Sequence, residues 1–256
     1  MLRKRLFVAG LFAFVLSFAV LPSFAAVSQQ FDKTYPLQPG GTFELQNVNG
    51  PVEVHGWDRD VVEVRAVKTA KHHDSDLERV SIDVSANPKT ISVSTRYPQD
   101  EGVEVAVEYL IHVPHTAHIE HLGTINGTLS IAGVAAVDEL HTVNGNIEVY
   151  DGGGDVHAHT TNGNIHLELA HFREGDGNGS SAETTNGSLL VALPTDAEAE
   201  IETRCLNGNF LSEMPIAMES SLKPREMRGR LGKGGAPIKL RTINGGIRIV
   251  TLRTTV

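Results

Sequence analysis

The sequence predicts an all-β fold: a β-solenoid or β-helix-like stack of repeats about 18–24 residues long, preceded by an N-terminal β-strand region. Three observations carry this. A phrase built on Asn-Gly recurs with a period near 20 residues. Apolar and polar residues alternate with period two between the copies. Val, Ile, Thr and Gly are abundant and aromatics make up only 5%, a composition suited to thin, repetitive strands.

The chain opens with Arg3, Lys4 and Arg5, an apolar run from Leu6 to Leu21, Pro22, and then Ser23-Phe24-Ala25. Basic start, apolar stretch and small residues at the end predict a secretory signal peptide over 1–25, cut after Ala25 or Ala26. An uncleaved membrane anchor is the rival reading, and the run is short for it. No cysteine near the cleavage point offers a lipid attachment site. Secretion places the chain outside the cytoplasm, in the periplasm or at the cell surface.

An N-terminal region of strands follows over 31–113. Thr42–Leu45, Val52–Val54, Val61–Val64, Val80–Val84, Thr90–Val93 and Val103–Val113 each alternate apolar with polar. Pro114 stops the last, because proline has no N–H to give a ladder. Pro39-Gly40-Gly41, Gly56-Trp57-Asp58, Asn87-Pro88 and Pro98-Gln99-Asp100 supply turns between them.

The repeat region is predicted over 114–256. Its phrase, Thr-x-Asn-Gly, stands at Thr124–Gly127, Thr142–Gly145, Thr160–Gly163, Thr184–Gly187 and Thr242–Gly245. Asn47-Val48-Asn49-Gly50 and Cys205-Leu206-Asn207-Gly208 are looser copies. From Asn126 to Asn207 the spacings are 18, 18, 24 and 21 residues. Aligned on Asn-Gly, one column holds Leu129, Ile147, Ile165, Leu189, Phe210 and Ile247. A second, two residues on, holds Ile131, Val149, Leu167, Val191, Ser212 and Ile249. Both columns are predicted to face the core. Ser130, Glu148, His166, Leu190, Leu211 and Arg248 lie between them and are predicted to face solvent. The Thr column shares the inward parity, so Cys205, which replaces Thr there, is read as a small buried residue and not as a reactive thiol.

Asn-Gly suits two geometries: a type I′ hairpin turn, or a sharp corner of a coil where both residues take left-handed conformations. The same residues recur at the same corner, as stacked rungs need and a meander does not, so the coil is favoured. Equivalent Asn side chains then hydrogen-bond up the stack. Gly175–Ser180 is read as a loop inserted in one rung. Residues 213–239 form a longer excursion, a loop or a lid, whose Lys223, Arg225, Arg228, Arg230 and Lys233 are read as a contact element for an anionic partner.

Leu45–Trp57 resembles the opening of the bacterial DUF4097 family, and the later Thr-x-Asn-Gly phrases and Gly229–Gly234 resemble its body and closing stretch. The resemblance spans nearly the whole chain after the signal and rests on the order of these phrases. The family is described as a "putative adhesin" built of β-strand repeats. The resemblance therefore implies an extracytoplasmic β-solenoid with a structural or adhesive binding role and no established chemistry. This chain differs in its basic excursion and its histidines.

Removing the three basic residues of the signal leaves 19 basic against 31 acidic residues, a net charge of −12. That balance argues against nucleic acid as a partner and leaves a surface, glycan or protein ligand. One cysteine excludes an internal disulfide, so about 230 residues must supply their own core. Among 12 histidines, His112, His115, His118 and His121 recur every third residue. Glu139, His141, His157 and His159 fall on one strand face in adjacent repeats and form a candidate Zn or Cu site, because imidazole and carboxylate suit those metals. The alternative is a solvated face, and no cofactor is expected. For catalysis, Glu148, Asp151, Asp155, Glu168 and Glu183 are the carboxylates that a polysaccharide-processing β-helix would use. No pair stands apart from ordinary surface acids and no nucleophile or zinc-protease motif is present, so no catalysis is expected. Gly229–Gly235 lacks the spacing of a phosphate loop, and Asp151–Asp155 and Gly175–Gly179 lack that of the calcium repeat.

Overall fold

A computed structural model describes residues 28–99, 102–170, 172, 179–219 and 225–252. The signal segment, most of the Gly175–Ser180 loop, Lys223 and the last four residues lie outside the described residues. The chain is all-β. Its strands are β1 (Ser28–Pro36), β2 (Thr42–Gln46), β3 (Val52–Trp57) and β4 (Val61–Ala70). A single-turn helix, α1 (Asp76–Arg79), precedes β5 (Ser81–Ala86), β6 (Thr90–Arg96) and β7 (Val105–Pro114). Then come β8 (His118–Gly123), β9 (Leu129–Ala132), β10 (Ala136–Asn144), β11 (Ile147–Tyr150), β12 (His157–Asn162) and β13 (Ile165–Glu168). The remainder are β14 (Ser180–Asn186), β15 (Leu189–Leu193), β16 (Ala199–Asn207), β17 (Phe210–Ser212), β18 (Ile216–Met218), β19 (Glu226–Leu231), β20 (Ala236–Asn244) and β21 (Ile247–Thr251).

These strands form two large mixed sheets. The first runs β1-β4-β7-β3-β9-β11-β13-β15-β21-β17, and the second β18-β19-β16-β20-β14-β12-β10-β8-β2-β6-β5. Each Asn-Gly copy joins a strand of the second sheet to one of the first, and neighbouring copies pair in parallel. Thus Ile147 registers with Ile165, and Val149 with Leu167. The predicted inward columns are buried, apart from Phe210 and Ser212 at the end of the sheet, which are half-buried. These columns come from the first sheet, and they join inward residues of the second, such as Ile119, Leu122 and Leu140, in one continuous core. A parallel sheet is ordinarily covered on both faces. Here burial alternates along the strands, so each repeat pair shows one face to solvent.

The corner explains the phrase. Six of the seven corner Asn side chains donate from Nδ2 to the Oδ1 of the Asn in the adjoining rung, at 2.7–2.9 Å through Asn126→Asn49, Asn144→Asn126, Asn162→Asn144, Asn186→Asn162, Asn244→Asn186 and Asn207→Asn244. Each Thr hydroxyl donates to the Gly carbonyl of the rung beside it, as Thr160 does to Gly145 at 3.0 Å. Cys205 keeps the pattern with Sγ donating to Gly245 O at 3.2 Å. Asn47 fills the Thr position of the first copy, is fully buried, and donates to Gly50 O and Val107 O.

Glycine is required here for a reason other than the expected one. None of the seven corner Asn residues has positive φ, and of their glycines only Gly50 (121°) and Gly245 (152°) do. The left-handed corner is therefore corrected. A Cβ on Gly145 or Gly163 would overlap the glycine carbonyl of the neighbouring rung, so close backbone approach excludes any side chain.

Stack order departs from chain order. Along the stack the corner residues run Asn49, Asn126, Asn144, Asn162, Asn186, Asn244, Asn207. The last repeat, β20 and β21, is inserted between those of β14/β15 and β16/β17. Its way back is the excursion, part of which is strand: β19 pairs antiparallel with β16, and β18 with β19. At the other end β2 and β3 lie between β8/β9 and β6/β7. Two elements escape sequence reading. Strand β1 pairs antiparallel with β4 along a mostly exposed segment of weak alternation. Helix α1 is held by the buried Lys68, whose Nζ donates to Leu77 O at 2.7 Å and Val80 O at 2.8 Å.

Candidate binding face

The outward residues of the second sheet form files across the stack, because parallel in-register pairing puts equivalent side chains about 4.8 Å apart. One file reads Gln46, Gly123, His141, His159, Glu183, Arg241 and Arg204. Two residues away a second reads Glu44, His121, Glu139, His157, Ser181, Lys239 and Glu202. The first file passes from the histidines in the middle through Glu183 to the guanidiniums of Arg241 and Arg204, which Glu226 of β19 follows.

The four proposed metal ligands are brought onto this one face but do not converge. His141 and His159 stack with parallel rings, centroids 5.3 Å apart. Glu139 instead faces His121 Nδ1 at 3.2 Å, and His157 Nδ1 lies 2.9 Å from Ser181 Oγ. Among the described residues, no group of three or more His, Cys, Asp or Glu is placed to hold a metal ion. Side chains on neighbouring strands of a sheet rise side by side, which favours pairs over the inward-pointing set that a cation needs. Burial, then the charge of His159 and His121, pushes the His141 imidazole below its ordinary pKa, against a smaller opposite effect of Glu139.

The basic residues of the excursion are largely matched by acids. Arg228 Nη2 donates to Glu202 Oε1 at 3.1 Å, Arg230 Nε lies 3.6 Å from Glu219, and Lys233 Nζ lies 3.3 Å from Glu198. Arg225 sits in a turn with φ of 68°, and its carbonyl accepts from Cys205 N–H. Exposed pairs of this kind contribute little to stability. Of the carboxylates considered for catalysis, Glu148 accepts from Tyr150 OH at 3.2 Å and Glu168 pairs with His166 at 3.3 Å.

The face also carries a cleft of about 330 Å³ lined by His159, Glu183, Thr185, Arg204, Leu206, Arg241 and Ile243. Arg204 and Arg241 register directly across adjacent strands. Each has an acidic neighbour on an adjoining strand, Glu226 at 3.7 Å from Arg204 and Glu183 at 4.0 Å from Arg241. Leu206 and Ile243 stand beside them, 37% and 41% exposed. A larger hollow of about 640 Å³ at Asn49, Thr69–Lys71 and Glu104–Ala106 has its charges, Lys71 and Glu104, closed on each other at 2.6 Å.

Sequence reasoning missed this cleft. Its signal was present, since Arg204 and Arg241 occupy the same repeat position as His141 and His159, next to the Thr column. Their adjacency depends on the insertion of the last repeat, which spacing does not show.

No family model matches the sequence, and no curated protein matches it. Solved structures resemble it at low identity. A "putative cell adhesion protein" from Clostridium sporogenes is 13% identical, covers 88% of this chain and 100% of its own, and gives a TM-score of 0.47. A "putative adhesin" from Bacteroides fragilis is 12% identical over 88% of this chain and 97% of its own, with a TM-score of 0.32. A "putative lipid binding protein" from Parabacteroides distasonis is 12% identical with the same coverage and a TM-score of 0.29. Among the described residues no helix is long and apolar enough to cross a membrane.

Proposed function

We propose that the protein is an extracytoplasmic β-solenoid of the DUF4097 type that acts as a binding scaffold, with 31–113 and 114–256 forming one continuous stack. Its signal-like start supports export, to the periplasm or the cell surface. Its role is structural or adhesive: the corner ladders hold a rigid surface, and the second sheet presents it to an anionic surface ligand, a glycan or a protein segment. Repeat stacks create extended binding faces of this kind.

One observation carries the reading. In an acidic chain, two guanidiniums stand on adjacent strands beside exposed Leu206 and Ile243, in a cleft. Like charges directly opposite each other cost stability, and a carboxylate or sulfate between them removes that cost while forming charge-assisted hydrogen bonds. Arg228, Arg230 and Lys233, on strand β19 and the turn after it, lie beside this face, each paired with an acid. The test is retention of the purified protein on immobilised polyuronate and on a sulfated glycan, at rising salt. Arg204→Gln with Arg241→Gln is expected to lower affinity about tenfold or more, as loss of two charge-assisted bonds implies. Unchanged retention refutes the assignment of the cleft.

A further inference from the structure

The corner ladder closes off six of its seven Asn-Gly pairs and leaves the seventh open. At Gly50, Gly127, Gly145, Gly163, Gly187 and Gly245 the backbone N–H donates to an Asn carbonyl of the adjoining rung, at 2.8–3.1 Å. In the same corners the Asn side chain is held: from Asn126 to Asn244 both its amide nitrogen and its oxygen are engaged by neighbouring Asn residues. Asn49, at one end, accepts from Asn126. Asn207-Gly208, at the other, differs. Asn207 Nδ2 donates to Asn244 Oδ1 at 2.8 Å. Among the described residues nothing donates to its Oδ1 and nothing accepts from Gly208 N–H. Both residues are exposed.

We infer that Asn207 is a site of spontaneous deamidation, protected against at the other six corners by the ladder. The chemistry needs only water and a base. Hydroxide or a buffer base removes the Gly208 amide proton. The nitrogen then bonds to Cγ of Asn207, and the Cγ–Nδ2 bond breaks, releasing ammonia and leaving a five-membered imide. Water adds to one imide carbonyl and opens the ring to Asp or isoAsp at 207. No electrons are transferred; Asn plus water becomes Asp or isoAsp plus ammonia. At the other six corners this sequence first requires breaking the Gly N–H bond and the side-chain ladder; the close backbone approach is shared, since a Cβ on Gly208 would overlap Gly245 O as one on Gly163 would overlap Gly145 O. At Asn207 a single side-chain bond holds the group. The product loses that bond's donor and sets a carboxylate against Asn244 Oδ1, two acceptors face to face. The change therefore also loosens the rung that carries Arg204 and Leu206.

The test is a time course on the folded protein in warm, mildly alkaline buffer. Each corner peptide is quantified by mass spectrometry, with isoAsp located by electron-transfer fragmentation. Conversion at Asn207 is expected to exceed that at each of Asn49, Asn126, Asn144, Asn162, Asn186 and Asn244 by about tenfold or more, the effect of two hydrogen bonds. In urea the seven sites are expected to converge, since all share the same dipeptide. Asn207→Gln is expected to abolish the fast component. The inference is overturned if Asn207 in the folded protein converts no faster than the six ladder sites, or if one of those outpaces it. Asn178-Gly179, an eighth pair, stands outside the comparison because Asn178 is outside the described residues.

Discussion

The glycine of each corner is fixed by distance to the next backbone. At Gly163 the obstruction is the Gly145 carbonyl, which cannot swing aside as a flexible side chain would. Gly163→Ala is therefore expected to destabilise the fold by about 3 kcal/mol or more, at the upper end for overpacking. A loss under ~1 kcal/mol in urea unfolding contradicts close packing there. Cys205 gives the opposite case. Its thiol is buried, burial pushes its pKa up, and sulfur is a poor stand-in for the Thr hydroxyl of the column. Cys205→Thr is expected to stabilise by about 0.5–1 kcal/mol, and thiol reagents are expected to label the native protein slowly. His141 sets a pH dependence. Its folded pKa lies below the ordinary 6.5, so below that pH the unfolded chain takes up the proton first. Its contribution is present above 6.5 and is lost as pH falls through 6.5 toward the folded value. Replacing His141 by Gln is expected to flatten this part of the urea-midpoint profile; the ionisable groups that face it are Glu139, His121, His159 and Glu183.

At the level of the repeat, the sequence was highly legible where side-chain chemistry repeats. The inward columns, the Thr column and the Asn ladder follow from alignment alone, because one register makes every copy equivalent. The rest was hidden for physical reasons. The role of Gly resides in a carbonyl on another rung, so local dihedral preference pointed to the wrong cause. The His141–His159 pair was readable as a neighbour relation, but not the divergence of Glu139 toward His121, which depends on rotamers. Strand β1 had no clear alternation to announce it. The ladder itself is testable. Asn162 donates to Asn144 and accepts from Asn186, so Asn162→Ala is expected to cost about 1–3 kcal/mol. Faster amide exchange is expected at Gly145 and Gly163, whose N–H groups donate to Asn162 O and Asn186 O. Exchange unchanged at both amides contradicts a coupled corner.

For the whole molecule, the unexpected feature is that the final repeat fills a gap left earlier by the chain. Strands β20 and β21 complete both sheets only after β16–β19 have gone past, so their contacts with β14 and β15 close over a long stretch of sequence. Loops of that length are slow to close. The same insertion sets Arg241 between Glu183 and Arg204 and so builds the cleft. The most direct measurement of the account is the order of these rungs, by disulfide trapping in a Cys205→Thr background. Glu183 and Arg241 are register partners on adjacent strands, within the Cα separation a disulfide spans. Glu183 and Arg204 are two strands apart, roughly 10 Å, beyond it. The account predicts that Glu183→Cys with Arg241→Cys oxidises readily to an intramolecular bridge while Glu183→Cys with Arg204→Cys does not. Bridging of the second pair in preference to the first would show rungs stacked in chain order and contradict the structure described.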